Sequence, residues 1–148
     1  MEKEKEHVQD ILAWLSRNFH DYLILAGIVN EKAKLIDYKQ GTGHLQLSSV
    51  RQNDININTS LIFSLAKQFE DLTGSLAHSV MTYDDHEVII MDVSAGTILY
   101  VICTAGAASD IIDGLTRLNE NVPVREESNK WVVTGYNTDF VSSDWTGR

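Results

Sequence analysis

Three apolar runs set the frame of this chain: residues 22–29 (YLILAGIV), 87–93 (EVIIMDV) and 97–103 (TILYVIC). Each is short and rich in β-branched and aromatic residues, so each predicts a strand rather than a long helix. Each is also too continuously apolar for a sheet with one wet face. Such strands need cover on both sides. Elsewhere the pattern changes to a helical period. Val8, Ile11, Leu12, Leu15 and Phe19 form one stripe, predicting a helix over 5–18 with Trp14 on its flank. Glu2, Glu4 and Glu6 precede that stripe, where negative charge favours a helix N-terminus.

The remaining elements follow in order. A polar turn, Asn30-Glu31-Lys32, leads into a second strand over 33–39, more polar and so nearer an edge. The short connection implies an antiparallel hairpin. A polar loop over 40–53 contains Gly41 and Gly43, and Asp54 or Asn58 offers a cap for a second helix reaching about Leu72, where Gly74 stops it. Strands over 76–83, 86–93 and 97–104 then form a meander through Asp84-Asp85 and Ser94-Ala95-Gly96. After Gly106, Ser109 is placed to cap a third helix carrying Ile111, Ile112, Leu115 and Leu118. Pro123 marks the end of the compact pattern, giving a domain over 1–122 and an extension over 123–148. Within the extension, 131–136 (WVVTGY) reads as an added strand or part of a tail.

The second helix is unusual. Its apolar positions are Ile57, Leu61, Ile62, Phe63, Leu65, Ala66, Phe69 and Leu72. At about 100° per residue, Leu61, Leu65, Phe69, Leu72 and Ile62 gather together while Phe63 falls well away. A helix covering one sheet face needs a single stripe. Two apolar flanks imply a second surface to cover.

Composition narrows the function. A chain of 148 residues suits one domain with one core, and a hydrophobic share of 43% argues against disorder. The net charge of −9 argues against nucleic acid and against an anionic membrane surface. The charged N-terminus lacks a signal-type apolar core, and no run approaches the ~20 residues that span a bilayer. A soluble cytoplasmic protein is expected. The single cysteine, Cys103, permits no internal disulfide and reads as a small buried hydrophobe.

Candidate chemistry is thin. Asp84-Asp85-His86-Glu87 resembles a metal cluster in composition, but neighbours on a tight hairpin alternate faces and do not converge, so a solvated turn is expected. His78 and His86 stand several rungs apart. Gly41-Thr42-Gly43-His44 lacks the Lys-Ser/Thr of a phosphate-binding loop. A nucleophile scheme would need Cys103 or a serine beside a histidine; burial disfavours a thiolate at Cys103, and His7, His20 and His44 have no evident relation to it. Nothing local singles out Arg17, Arg51 or Arg117 as a phosphoryl-transfer arginine. No catalytic residue, cofactor or metal is assigned.

The order helix, hairpin, helix, three-strand meander, helix resembles the Roadblock/dynein light-chain family. The resemblance covers about residues 5–121. Its carriers are the helix over 8–19, LILAGIVNEKAKLIDY, LIFSLAKQFEDLTG and HEVIIMDVSAGTILYVICT. The chain departs from the family at its first turn, where Asn30-Glu31-Lys32-Ala33 stands in place of a glycine-containing turn, and in its long polar loop over 41–53. The resemblance implies an α/β fold of α+β type with a profilin-like sandwich. Its five-stranded antiparallel sheet has helices one and three on one face and helix two on the other.

It also implies a homodimer, or a dimer with a paralogous Roadblock protein. The second helices would pack antiparallel and the third strands pair edge to edge. The interface residues so implied are Ile57, Leu61, Ile62, Phe63, Leu65 and Phe69 on the helix, with Ala77, His78, Ser79, Val80 and Met81 on the strand. The function implied is non-catalytic: a dimeric platform that binds or regulates a small Ras-like GTPase or scaffolds a larger complex. The alternative is a small-ligand sensor of profilin or PAS-like architecture, which requires an internal pocket.

Overall fold

The computed structural model describes residues 2–41, 47–94 and 96–120, with the backbone alone at 2–7, 119 and 120. His44 and the extension over 123–148 lie outside the described residues. The elements run α1 (Glu2–Phe19), β1 (Leu23–Asn30), β2 (Leu35–Gln40), α2 (Ser49–Lys67), α3 (Glu70–Thr73), β3 (Ser79–Thr82), β4 (His86–Ser94), β5 (Thr97–Thr104) and α4 (Ala108–Glu120). One five-stranded sheet has the order β2-β1-β5-β4-β3, with every neighbouring pair antiparallel. The three apolar runs are therefore β1, β4 and β5, the middle of the sheet.

Both sheet faces are covered, as strands of that composition require. On one face Leu25 and Val29 of β1, Ile90 of β4 and Ile98 and Tyr100 of β5 cluster with Phe63 of α2. Gly27 lies between Leu25 and Val29 on this face and opposite Tyr100. A Cβ at Gly27 would strike the Tyr100 ring, so glycine is what lets that ring lie across β1. The other face carries Ile24, Ala26, Ile28, Ile89, Leu99, Val101 and Cys103, all buried. Helix α1 runs along β1 and β2 with Val8, Ile11, Leu12 and Leu15 inward, the stripe expected from the sequence.

The first turn is closed without glycine. The Asn30 side-chain oxygen accepts from the Lys32 and Lys34 backbone N–H groups at 2.9 and 3.0 Å. The reversal places Ala33 at φ +66°, a left-handed conformation that its Cβ disfavours.

Three boundaries differ from the sequence expectation. Helix α2 begins at Ser49, inside the expected loop, and its cap is neither Asp54 nor Asn58. Ser48 Oγ accepts from the Arg51 N–H at 3.1 Å. Val50 is the one apolar residue in that first turn and faces solvent, so hydrophobic periodicity gave no sign of it. The helical stretch also breaks before Leu72. Gln68 and Phe69 bond back to Leu65 and Ala66 in i→i−3 fashion, and short α3 then ends at Gly74, φ +90°. Strand β3 is only four residues long, and ahead of it Glu70 Oε2 accepts from the Leu76 N–H at 2.7 Å.

A fourth difference lies at the last helix. Ser109 falls inside α4, and its capping acceptor comes from β4 instead. Glu87 Oε1 accepts from the N–H groups of Gly106 (2.8 Å) and Ala108 (3.0 Å). A carboxylate placed there satisfies amides that the helix cannot. The chain divides into two compact units, Met1–Ser109 and Asp110–Arg148. In the second, α4 buries Ile111 and Leu115.

Candidate functional site

Helix α2 turns two polar residues inward beside Phe63 and an apolar stripe toward water. Its buried residues are Asn56, Thr59 and Phe63, exposed by 6%, 4% and 9%. At about 100° per residue, these lie roughly 160° around the axis from the stripe Val50, Ile57, Leu61 and Leu65. That stripe is open: Leu61 is 53% and Leu65 56% exposed, and Phe69 and Leu72 extend it past the helix end. Burying Asn56 has a cost, since its side-chain oxygen has no hydrogen-bond partner.

The predicted residues thus divide. Ile57, Leu61, Leu65 and Phe69 lie on the open face. Phe63 belongs to the subunit's own core, and Ile62 packs partly buried against the same cluster. These two hold α2 to the sheet within the subunit. Val50 and Leu72 complete the stripe. Val50 escaped sequence reasoning because the helix start was set too late, although it stands seven residues before Ile57 in the same phase.

Beside this face the sheet ends in an open edge. Among the described residues β3 pairs only with β4, in a register that sets Ser79 opposite Ile90 and Thr82 opposite Glu87. The Tyr83 N–H donates to the His86 carbonyl at 2.8 Å, marking that pair as a bonded one. Antiparallel ladders alternate bonded and non-bonded pairs. Residues 79 and 81 therefore bond to β4, and the backbone groups of Val80 and Thr82 point outward. Met81 packs on the α2 side, while Val80 is partly exposed on the other face. Ala77 and His78 precede the strand and are exposed.

The rest of the described surface holds little chemistry. No group of three or more His, Cys, Asp or Glu among the described residues is placed to hold a metal ion. Cys103 is buried, and its Sγ donates to the Glu87 carbonyl at 3.6 Å. Burial, and then the Glu87 charge, push its thiol up to about 11. Burial and the nearby Tyr38 push the Tyr100 phenol up to about 12, and its hydroxyl has no partner. A groove of about 450 Å³ lies beside α2, lined by Glu31, Ser60, Phe63, Ser64, Lys67 and Ile98 among others. Lys67 Nζ stands 5.4 Å from the Phe63 ring centre. Among the described residues no helix is long and apolar enough to cross a membrane.

The backbone that carries this face and edge has clear structural counterparts. A Roadblock/LC7 domain from Streptomyces avermitilis superposes with a TM-score of 0.54 over 75% of this chain and 96% of that one, at 13% identity. The chain has the Roadblock/LC7 fold. Myxococcus xanthus MglB matches at 0.55, 14% identical, over 78% of this chain and 96% of that one. MglB in a tetrameric arrangement matches at 0.58, 11% identical, over 78% and 89%. At such identities the Roadblock/LC7 likeness is one of fold. No family model matches the sequence, and no curated protein is significantly similar to it.

Proposed function

We propose that this chain is a non-catalytic, dimeric interaction module that binds or regulates a small Ras-like GTPase or scaffolds a larger complex. The observation that carries this reading is the open face of α2, with Ile57, Leu61, Leu65 and Phe69 in solvent while Asn56 and Thr59 are buried. These apolar residues are 42–63% exposed within their own subunit. A contiguous apolar patch bordered by polar residues marks a protein interface. The outward backbone groups of Val80 and Thr82 add a strand edge able to extend the sheet into a neighbour. The Roadblock/LC7 fold supports the reading, because the resemblance seen in the sequence implies GTPase platforms and scaffolds. So does the occurrence of MglB in a tetrameric arrangement.

Cys103, the one cysteine of the chain, is a buried thiol. The ligand-sensor alternative requires an enclosed chamber, and no observation favours it over the interface. Light scattering on a sizing column tests the dimer: two chains per particle are expected at micromolar concentration, and a strict monomer overturns it. Affinity capture from the source cell tests the partner. A GTP-loaded small GTPase retained by the wild-type chain supports the platform role, and retention of no GTPase with either nucleotide removes it.

A further inference from the structure

Strand β2 forms the other edge of the sheet, and among the described residues it pairs only with β1. The Gly41 N–H donates to the Ile24 carbonyl at 3.1 Å, which marks that pair as a bonded one. Bonded and non-bonded pairs alternate along an antiparallel ladder. Lys39 and Asp37, opposite Ala26 and Ile28, therefore bond to β1, and the backbone groups of Gln40 and Tyr38 point away from the sheet. Ile36 is the extra residue of a bulge, since Ile28 pairs with Asp37 and Val29 with Leu35. Two large side chains stand on this edge in water, Ile36 at 36% and Tyr38 at 46% exposure. An edge of that composition with free backbone groups is a template for further strands. Here one donor of the template is already taken. Asp37 Oδ1 accepts from the Tyr38 N–H at 2.8 Å.

We propose that Asp37 guards the β2 edge, its carboxylate occupying the Tyr38 N–H so that the sheet cannot extend into another molecule from that side. An incoming strand must offer a carbonyl to this N–H. It finds the donor used and a carboxylate lying against its own carbonyl oxygen. The bulge at Ile36 breaks the even spacing that a long pairing needs, and the exposed Lys34 and Lys39 flank it with charge. The guard stands on β2 alone. Its consequence rests on the self-association proposed above. The outward groups of Val80 and Thr82 leave β3 able to pair, and β3 meeting β2 would be a head-to-tail contact that repeats without closing. With β2 shut, sheet joining stops at a finite assembly instead of running on as a fibre.

Substitution at Asp37 separates the acceptor from the charge. Asp37→Ala removes both, and Asp37→Asn keeps a side-chain oxygen in place. In sedimentation velocity over about 1–100 μM, Asp37→Ala is expected to form particles larger than those of the wild type, with a weight-average mass about twofold higher or more at the top of the range. Asp37→Asn is expected to sediment as the wild type does. Adding Leu61→Asp, which disables the α2 face, leaves the association of Asp37→Ala in place. An Asp37→Ala chain that sediments as the wild type overturns the guard and leaves the platform standing. Equal association of Asp37→Asn and Asp37→Ala overturns it too, because charge alone would then keep the edge apart. A monomeric wild type whose Asp37→Ala form associates removes the dimer and supports the guard. Hydrogen exchange in the wild type reads the bond without any variant. After correction for intrinsic rates, the Tyr38 amide should exchange about three- to tenfold more slowly than the outward Gln40 amide, and equal rates overturn the proposal.

Discussion

Replacing Leu61 with aspartate separates the needs of the subunit from those of the assembly. Leu61 is 53% exposed, so about half of its side chain remains to be covered by a partner. Full burial of a leucine contributes about 1.5–3 kcal/mol, which leaves roughly 1 kcal/mol for the interface from each copy. Two-fold symmetry counts it twice, giving about 2 kcal/mol lost from burial alone. A carboxylate covered by a partner on this apolar face also stays unpaired, and an unpaired buried charge costs several kcal/mol. A total of at least about 4 kcal/mol raises the dimer Kd by roughly three powers of ten. The subunit itself loses little, because its core is made by Phe63 on the opposite side of the helix. Sedimentation equilibrium over about 1–100 μM measures the first effect. Thermal unfolding at concentrations where the wild type is already dissociated measures the second, since dimer coupling otherwise raises Tm. A variant with unchanged Kd refutes the placement of Leu61 in the interface. A variant whose isolated subunit melts tens of degrees lower refutes the inside-out reading of α2.

Phe63→Ala behaves in the opposite sense: about 3 kcal/mol or more of subunit stability is lost in denaturant unfolding, because the side chain fills the cluster between α2 and the sheet. Ala33→Gly stabilises by roughly 0.5–1 kcal/mol, relief of the left-handed strain at φ +66° outweighing the greater freedom of glycine in the unfolded chain; a lower denaturant midpoint would contradict this. Glu87→Ala strips the acceptor from the Gly106 and Ala108 amides and lowers stability by about 1–2 kcal/mol, with Glu87→Gln retaining part of it in the same assay. Cys103 and Tyr100 have folded-state pKa values raised to about 11 and about 12, above their ordinary values of 9.0 and 10.0, so the stability they confer is complete below pH 9 and is lost as pH rises through 11 and 12. Chemical denaturation at stepped alkaline pH should show that decline, shallower in Tyr100→Phe, and a flat profile would contradict it.

Much of this was legible in the chain. The strands β1, β4 and β5 are announced by unbroken apolar runs, and β5 has the bounds its composition implies, Thr97–Thr104. Such runs are buried on both faces, and burial on both faces is what makes a strand readable without its partners. The stripe of Val8, Ile11, Leu12 and Leu15 was equally plain, because α1 has one buried side and one wet one. The start of α2 was not legible, since its first turn buries nothing and only Ser48 marks it. Nor was the hydrogen bond from Leu76 to a glutamate six residues earlier, which fixes the chain ahead of β3.

By itself the sequence determined that α2 has more apolar surface than one sheet can use. Side-chain spacing along a helix is local geometry, and it needs no tertiary contact to be counted. Only the tertiary structure decided which flank turns inward. Rotating the helix by half a turn preserves every local preference, and the choice belongs to the shape of the sheet beneath. There Tyr100, lying across Gly27, joins Phe63 in one cluster and leaves Leu61 and Leu65 in water. The same holds for Glu87: a carboxylate in an acidic turn becomes the cap of α4 because the β4–β5 pairing brings residues 87 and 103–108 together across the sheet.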